Sequence, residues 1–217
     1  MLERIFGLRK GSTLVEAAFR DVSTMLNQSA RMLDHSLAAL LDNQELAVDL
    51  EHMDNVVDEG ERMVRRSILE HLSVNPRQDL VPSLILASMV QDAERIGDFA
   101  RGLAEVISLA NSPRQGPMAD ELRTLSDRLR PLFEVCERAF REDDVEEARR
   151  VVAGHNELKR EFTAFIRRVA ASDLSADMAI VYAVAARILR RIGAHLSNIA
   201  STVVQPYDRI RHGDEDA

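Results

Sequence analysis

The sequence is poor in residues that interrupt helices or form disulfides. Its 217 residues include one cysteine, no tryptophan, nine glycines and six prolines, and aromatic residues make up only 4% of the chain. The single cysteine, Cys136, excludes a disulfide framework within the chain and is typical of cytoplasmic proteins. No run of 18 uninterrupted apolar residues occurs, so we expect no transmembrane helix. With 46% hydrophobic residues, this composition predicts a cytoplasmic all-α protein.

The net charge and the two ends of the chain indicate which binding partners and targeting signals to expect. The formal net charge is −8, which argues against general nucleic-acid binding. The start, "MLERIFGLRKGS", lacks the long apolar segment and cleavage site of a secretory signal. We expect a loosely docked helix start there, with contact to a membrane surface or partner as the alternative. The acidic end, "HGDEDA", is expected to be a disordered tail.

Apolar positions at helical spacing predict six helices, with Pro131 kinking the fourth. They run from Ser12 or Thr13 to about 41, from the "DNQ" break to about 73, from Pro76 to about 110, over about 118–141, from "REDD" to about 170, and from "SDLS" to before Pro206. The linker "NSPRQGP" divides them three plus three. We therefore expect two tandem up-down-up three-helix bundles packed side by side, over 12–110 and 118–204, with terminal segments 1–11 and 205–217.

The two halves resemble each other along their third helices. A shift of 96 residues places Arg95, Ile96 and Gly97 on a second Arg-Ile-Gly at 191–193. Glycine within a helix is less favourable than alanine by about 1 kcal/mol. Because both copies keep the glycine, we expect it to allow close approach of a neighbouring helix.

Two acidic pairs lie on the second and third helices. Glu94 and Asp98 are one turn apart, and so are Asp54 and Asp58. If the two helices are antiparallel neighbours, the pairs face each other, and a cation would relieve the repulsion between them. Oxygen ligands favour hard ions such as magnesium, manganese, iron or calcium. These four acids are the predicted metal ligands, and Glu51 and Glu61 are further candidates.

The alternative is an ordinary solvated surface on which the acids pair with nearby arginines, namely Arg62, Arg65, Arg95 and Arg101. The six histidines show no ligand spacing, so we expect them at the surface or its boundary, and Cys136 in the core. No phosphate-binding glycine loop or nucleophile motif is present. The sequence therefore predicts no enzyme, and a metal-dependent hydrolase ranks last because no nucleophile or base is identifiable.

The segments "DNVVD" (54–58) and "ERIGD" (94–98) match the E(D)xxxD pattern of a known family on paired helices. With "NPRQDL" (75–80) and "HLSNIA" (195–200), they make the chain, from about 12 to 204, resemble the phosphate-uptake regulator family PhoU. That resemblance implies two three-helix bundles whose acidic motifs hold a metal cluster of iron, manganese, magnesium or zinc. It also implies regulation of phosphate uptake and signalling by contact with a membrane phosphate transporter or sensor histidine kinase. The protein would reach the membrane through these partners and form a homo-oligomer, such as a dimer.

Two other functions stay open. In the first alternative, the protein is an accessory subunit of a sodium/phosphate cotransporter or low-affinity phosphate permease. In the second, it is a helical adaptor without a metal site. The second repeat departs from the family pattern, because Arg190 and Ala194 stand where the acids belong. Shifting the second helix onto the fifth by 101 residues matches Asp54 and Asp58 with His155 and Lys159. Shifting it by 102 residues matches them with Asn156 and Arg160. We predict one metal site, in the first repeat, and a structural and docking role for the second. The basic residues Arg187, Arg190 and Arg191 form either an anion or acidic-partner site or a solvated face.

Overall fold

The computed structural model describes residues 13–77 and 79–205, with side chains from residue 17 onward. Within these ranges the backbone is helical, with connections and no strand. The helices are α1 (Thr13–Leu41), α2 (Leu50–Val74), α3 (Leu80–Ile107), α4 (Pro117–Leu129), α5 (Pro131–Glu142), α6 (Val145–Ala170) and α7 (Ala176–Val204). The expectations for residues 1–11 and for the acidic tail lie outside the described residues.

Pro131 divides the predicted fourth helix into α4 and α5. Arg130 lies between them and keeps right-handed helical backbone angles (φ −53°, ψ −46°). The proline nitrogen cannot donate a hydrogen bond to the preceding turn, so the helix is interrupted there without reversing direction. The sequence predicted a kink at Pro131, and the structure has a break between two helices there; α4 with α5 serves as one helix of the second half.

The second helix begins later than the sequence suggested. Asp49 caps α2 by accepting a hydrogen bond of 2.9 Å from the backbone N–H of His52. Before this cap, Asn43 adopts a left-handed backbone conformation (φ 55°). Its side chain accepts from the backbone N–H of Arg114 at 2.8 Å and donates to the Arg114 carbonyl at 3.1 Å. These bonds tie the connection to the mid-chain linker, so residues 42–49 stay non-helical.

Each half is a three-helix bundle, and the two halves pack side by side. In the first half, α1, α2 and α3 contact one another; in the second, α6 and α7 pack with α4 and α5. The main contact between the halves is α3 against α7. Fully buried side chains in the first half include Leu33, Val57 and Met89, and in the second Phe162 and Tyr182. The predicted all-α architecture is confirmed.

A second contact joins the halves along α1. Arg130 donates to Asp34 at 2.6 Å, and the rings of Phe19 and Phe140 stack with centroids 5.4 Å apart. Arg114 and Arg123 donate to the last carbonyl groups of α1, which its own helix leaves without donors. The first helix thus ends against the second half. Among the described residues, no helix combines the length and apolar character needed to span a bilayer.

Candidate metal face

Gly97 lies where α3 packs closely against α2 beside the acids. A Cβ atom at Gly97 would lie 3.2 Å from Asp54 Oδ1, 3.3 Å from Val57 Cγ1 and 3.4 Å from Ser29 Oγ. The first two distances are tighter than ordinary van der Waals contact, so the side chains of Asp54 and Val57 would have to shift to admit a methyl group here. The expected role of the glycine, close helix approach, is confirmed, and it brings Asp54 directly onto α3.

Carboxylates from α2 and α3 influence one another across this contact. The pKa of Glu94 is raised to about 7, mainly by burial and next by the neighbouring Asp98; Arg95 opposes the rise, and Glu61 and Asp58 add to it. Glu94 and Asp98 are half-buried on α3. Carboxylates of the two helices also share a geometric contact, because Arg101 lies against both Asp54 and Asp98. We call Asp54, Asp58, Glu61, Glu94 and Asp98 the acid face.

Asp54 differs from the other members of the acid face. Its side chain lies beside the apolar stripe of α2 and is only 8% exposed. Burial raises the pKa of its carboxyl group, and the hydrogen bond from Arg101 opposes that rise. Gly97 contributes to this burial, because the glycine lets α3 cover the carboxylate. Glu51, the outermost candidate, is exposed near the start of α2.

Arg101 connects both helices of the acid face. Its Nε donates to Asp54 Oδ2 at 2.7 Å, and its Nη1 donates to Glu105 Oε1 at 3.0 Å. Its Nη2 lies 3.8 Å from Asp98 Oδ1. One guanidinium group thus contacts a carboxylate of α2 and two carboxylates of α3.

Three further arginines contact the acid face at its edge. Arg95 Nη1 donates to Asp98 Oδ2 at 3.0 Å, so each oxygen of Asp98 has an arginine nearby. The same side chain places Nε 3.5 Å from Glu94 Oε2. More exposed pairs join Asp58 to Arg62 at 3.7 Å and Glu61 to Arg65 at 2.9 Å. The sequence alternative, pairing with nearby arginines, describes contacts that do occur.

The acid face offers the oxygen donors that a hard cation prefers, on two neighbouring helices. Gly97 provides a close approach that a Cβ atom would fill, and the buried Ser29 Oγ beside it has no hydrogen-bond partner. In the described part of the chain, however, no three Asp, Glu, His or Cys side chains are arranged to hold a metal ion. Asp54 and Asp98 instead contact Arg101. A metal ion held by these acids would have to replace arginine contacts.

The second half keeps the close approach and reverses the charge. A Cβ atom at Gly193 would lie 3.0 Å from His155 Nδ1. Since Gly193 matches Gly97, His155 takes the place of Asp54, and the offset between α2 and α6 is 101. With this offset, Lys159 is the residue equivalent to Asp58. On α7, Arg190 replaces Glu94 and donates to Thr163 Oγ1 at 3.3 Å.

A buried polar cluster between the halves was not predicted. His195 Nδ1 on α7 lies 2.7 Å from Asp92 Oδ1 on α3, and Asn198 donates to the same oxygen at 3.0 Å. The expectation that histidines lie at the surface or its boundary is wrong for His155 and His195, each 6% exposed. The sequence held one indication of this contact. Asp92 lies off the acidic stripe of its helix, so its side chain faces a different neighbouring helix.

An open groove lies between α3 and α7, next to the acid face. Its volume is about 660 Å³, and its lining includes Arg95, Asp98, Phe99, Arg101, Gly102, Glu105, Leu109, Val184 and Ile188. The 96-residue shift matches Asp92 with Ile188, Phe99 with His195, and Gly102 with Asn198. The rings of Phe99 and His195, equivalent residues of the two repeats, stack with centroids 5.6 Å apart. The groove residues Phe99, Gly102 and Ile188 are therefore the repeat equivalents of the cluster residues His195, Asn198 and Asp92.

The fold defines a class of protein, an all-helical molecule made of two tandem three-helix repeats in contact along their third helices. The family model described as "PhoU domain" matches residues 22–107 and 115–203. These two segments cover most of the chain and fall one in each half. The chain belongs to the PhoU domain family.

Individual relatives agree with this membership. The chain is 27% identical over 192 residues to "Phosphate-specific transport system accessory protein PhoU homolog 1" of Thermotoga maritima, covering 85% of this chain and 83% of the relative. The crystal structure of PhoU from Pseudomonas aeruginosa superposes with a TM-score of 0.80 at 23% identity, covering 88% of this chain and 95% of that one. The phosphate transport system regulatory protein PhoU from Streptococcus pneumoniae gives a TM-score of 0.80 at 15% identity, covering 91% and 97%. The last two show a shared fold.

Proposed function

We propose that the protein is a cytoplasmic regulator of phosphate transport that binds metal on its acid face and acts by contact with other proteins. Support comes from family membership over both halves and from the relative described as an accessory protein of a phosphate-specific transport system. The observation that carries the metal proposal is the approach of α2 to α3 at Gly97, with carboxylates of both helices close enough to perturb Glu94. The partners are a membrane phosphate transporter, a sensor histidine kinase or both. The protein has no catalytic role of its own.

Asp54, Asp58, Glu94 and Asp98 would hold the metal, with Glu61 beside them. A hard cation such as manganese, iron or magnesium would supply positive charge to carboxylates that otherwise repel one another. Binding would also lower the pKa of Glu94, since a cation favours the charged carboxylate. The ion would thus fix α2 against α3 on the outer surface of the first half, where a partner could detect it.

Metal content tests this proposal directly. Protein treated with chelator and reloaded with manganese, iron, magnesium or zinc is dialysed and analysed for bound metal. Glu94→Ala combined with Asp98→Ala should abolish binding while far-UV circular dichroism stays unchanged, because both side chains lie off the core. The matched control is Glu157→Ala combined with Glu161→Ala, a one-turn acidic pair on α6 that contacts Arg128. Metal retained by the first double variant contradicts the assignment.

The stoichiometry tests the asymmetry between the halves. One cluster per chain is expected, because His155 and Lys159 offer no carboxylates opposite the changed α7. Arg190→Glu combined with Ala194→Asp should not create a second cluster, since α6 still lacks its acidic pair. Metal held by residues 155–161 and 187–195 in the unmodified chain would contradict this expectation.

The cellular role is tested by measuring phosphate uptake. Deleting the gene should raise uptake of labelled phosphate in phosphate-rich medium, and the wild-type gene should restore the original rate. The Glu94→Ala/Asp98→Ala gene should fail to restore it if metal is needed, and should restore it if the protein is an adaptor without metal. An effect confined to sodium-dependent uptake would favour the cotransporter subunit. Unchanged uptake and unchanged phosphate signalling after deletion would refute the regulatory role.

Sedimentation of the purified protein tests the proposed homo-oligomer.

A further inference from the structure

We propose that Arg101 is an internal counter-cation that competes with metal for the acid face and so weakens metal binding, a proposal that rests on the metal site proposed above. Its guanidinium group already contacts Asp54 and Asp98, two of the four proposed ligands. A metal ion and a guanidinium group cannot occupy the same carboxylate oxygens, and their like charges repel at close range. Metal binding is therefore an exchange of one cation for another.

The burial of the two partners decides which one moves. The side chain of Asp54 is 12% exposed, whereas that of Arg101 is 38% exposed. Asp54 is also confined by Gly97, whose Cα brings α3 against its carboxylate. Asp54 therefore stays in place, and the exchange displaces the arginine outward.

Glu105 provides a place for the displaced arginine. It lies one turn after Arg101, accepts its Nη1–H at 3.0 Å, and has a side chain that is 69% exposed. Both residues line the groove between α3 and α7. Arg101 can therefore leave Asp54 and keep its pair with Glu105. The exchange requires side-chain rotation and no movement of a helix.

The second repeat supports a link between Arg101 and the acids. A shift of 96 residues matches Arg101 with Ser197, in the copy where Arg190 and Ala194 replace the acids. The arginine thus occurs in the copy that carries the carboxylates.

The test is the affinity of chelator-treated protein for manganese(II), measured by titration calorimetry. Arg101→Gln removes the charge and leaves a shorter side chain that can still form hydrogen bonds, and it should bind manganese about tenfold or more tightly than the wild type. Arg101→Lys keeps the charge and should remain within about threefold of the wild type. Arg128→Gln removes an arginine that contacts Glu157 and Glu161 outside the acid face and should leave the affinity unchanged.

The outcomes separate this proposal from the metal site itself. If wild type binds manganese, loses it in Glu94→Ala/Asp98→Ala, and Arg101→Gln binds no more tightly, competition is refuted and the metal site stands. If only Arg101→Gln binds, competition stands and the natural chain is not a metal protein under those conditions. If no variant binds, both proposals fail.

A measurement on unmodified protein covers the case in which Arg101→Gln does not fold. In chelator-treated wild type, the NMR signal of the Arg101 Nε–H should show protection from solvent exchange because it is bonded to Asp54. Saturating magnesium(II), which is diamagnetic, should abolish this protection and leave the Arg128 side-chain signals unchanged. Protection that persists in the metal-bound protein would overturn the proposal.

Discussion

Replacing the two glycines of α3 by alanine should give effects of different sign. Gly97 and Gly102 both lie within the helix, where alanine is more favourable by about 1 kcal/mol. A Cβ atom at Gly102 has no neighbour within 4 Å, so Gly102→Ala should stabilise the protein by about 1 kcal/mol. At Gly97 the added methyl group would meet Val57, which is fully buried, and Asp54, which Arg101 holds.

The contacts at Gly97 determine the magnitude there. Overpacking a core by a methyl group costs about 1–3 kcal/mol. After subtracting the gain in helix propensity, Gly97→Ala should be destabilised by roughly 0–2 kcal/mol. The two variants should therefore differ by about 1–3 kcal/mol in the free energy of unfolding.

Urea unfolding of metal-free protein, followed by circular dichroism, measures both variants on one scale. For a chain of this size, 1 kcal/mol corresponds to a shift of about 2–4 °C in melting temperature, so thermal melts provide a check. Gly193→Ala should behave like Gly97→Ala, because its Cβ atom would lie 3.0 Å from His155. If Gly97→Ala stabilises as much as Gly102→Ala, the glycine is not kept for helix packing, and the close approach at the acid face loses its explanation.

Two further predictions concern the acid face and the buried polar cluster. Because the pKa of Glu94 rises from 4.5 to about 7 on folding, the folded state binds more protons between these values, so stability should fall as pH rises through that window. Glu94→Gln should flatten this fall in urea unfolding of metal-free protein at pH 5 and pH 8, and an equally steep fall in the variant would contradict the cause. Asp92→Ile alone should destabilise by about 1–3 kcal/mol by leaving His195 without its partner. Adding His195→Phe, which copies the Ile188–Phe99 pairing of the other side, should recover part of that loss, whereas a fully additive loss would refute the coupling.

The sequence predicted the helices and their grouping because those depend on local patterns. Apolar spacing, the "REDD" segment before α6, the interrupting Pro131 and the linker each act within a few residues. Gly97 was also interpretable, because its repetition at Gly193 indicated packing rather than chemistry. The start of α2 was wrong, since the Asn43–Arg114 contact that holds its preceding connection joins residues far apart in the chain.

Contacts between helices were less accessible to sequence reasoning. The offset between α2 and α6 stayed open at 101 or 102 until His155 was found against Gly193. The four arginines near the acids were recognised, but nothing in the sequence distinguished Arg101 as the one that reaches Asp54. The Asp92–His195 contact spans 103 residues and depends on how the halves meet. The metal ligands remain a prediction.

The correspondence between the groove and the buried polar cluster has a consequence for how the sequences of the two repeats can diverge from each other. In a symmetric dimer of two identical chains, every contact across the twofold axis is present twice. A substitution that filled one side with Asp92 and His195 would fill the other side as well. With both copies on one chain, mutations act on each separately, so one side can be closed by polar side chains while Ile188 and Gly102 leave the other open. Covalent duplication thus lets the molecule place a recess on one side of this contact, which a self-assembled pair would have to present in duplicate.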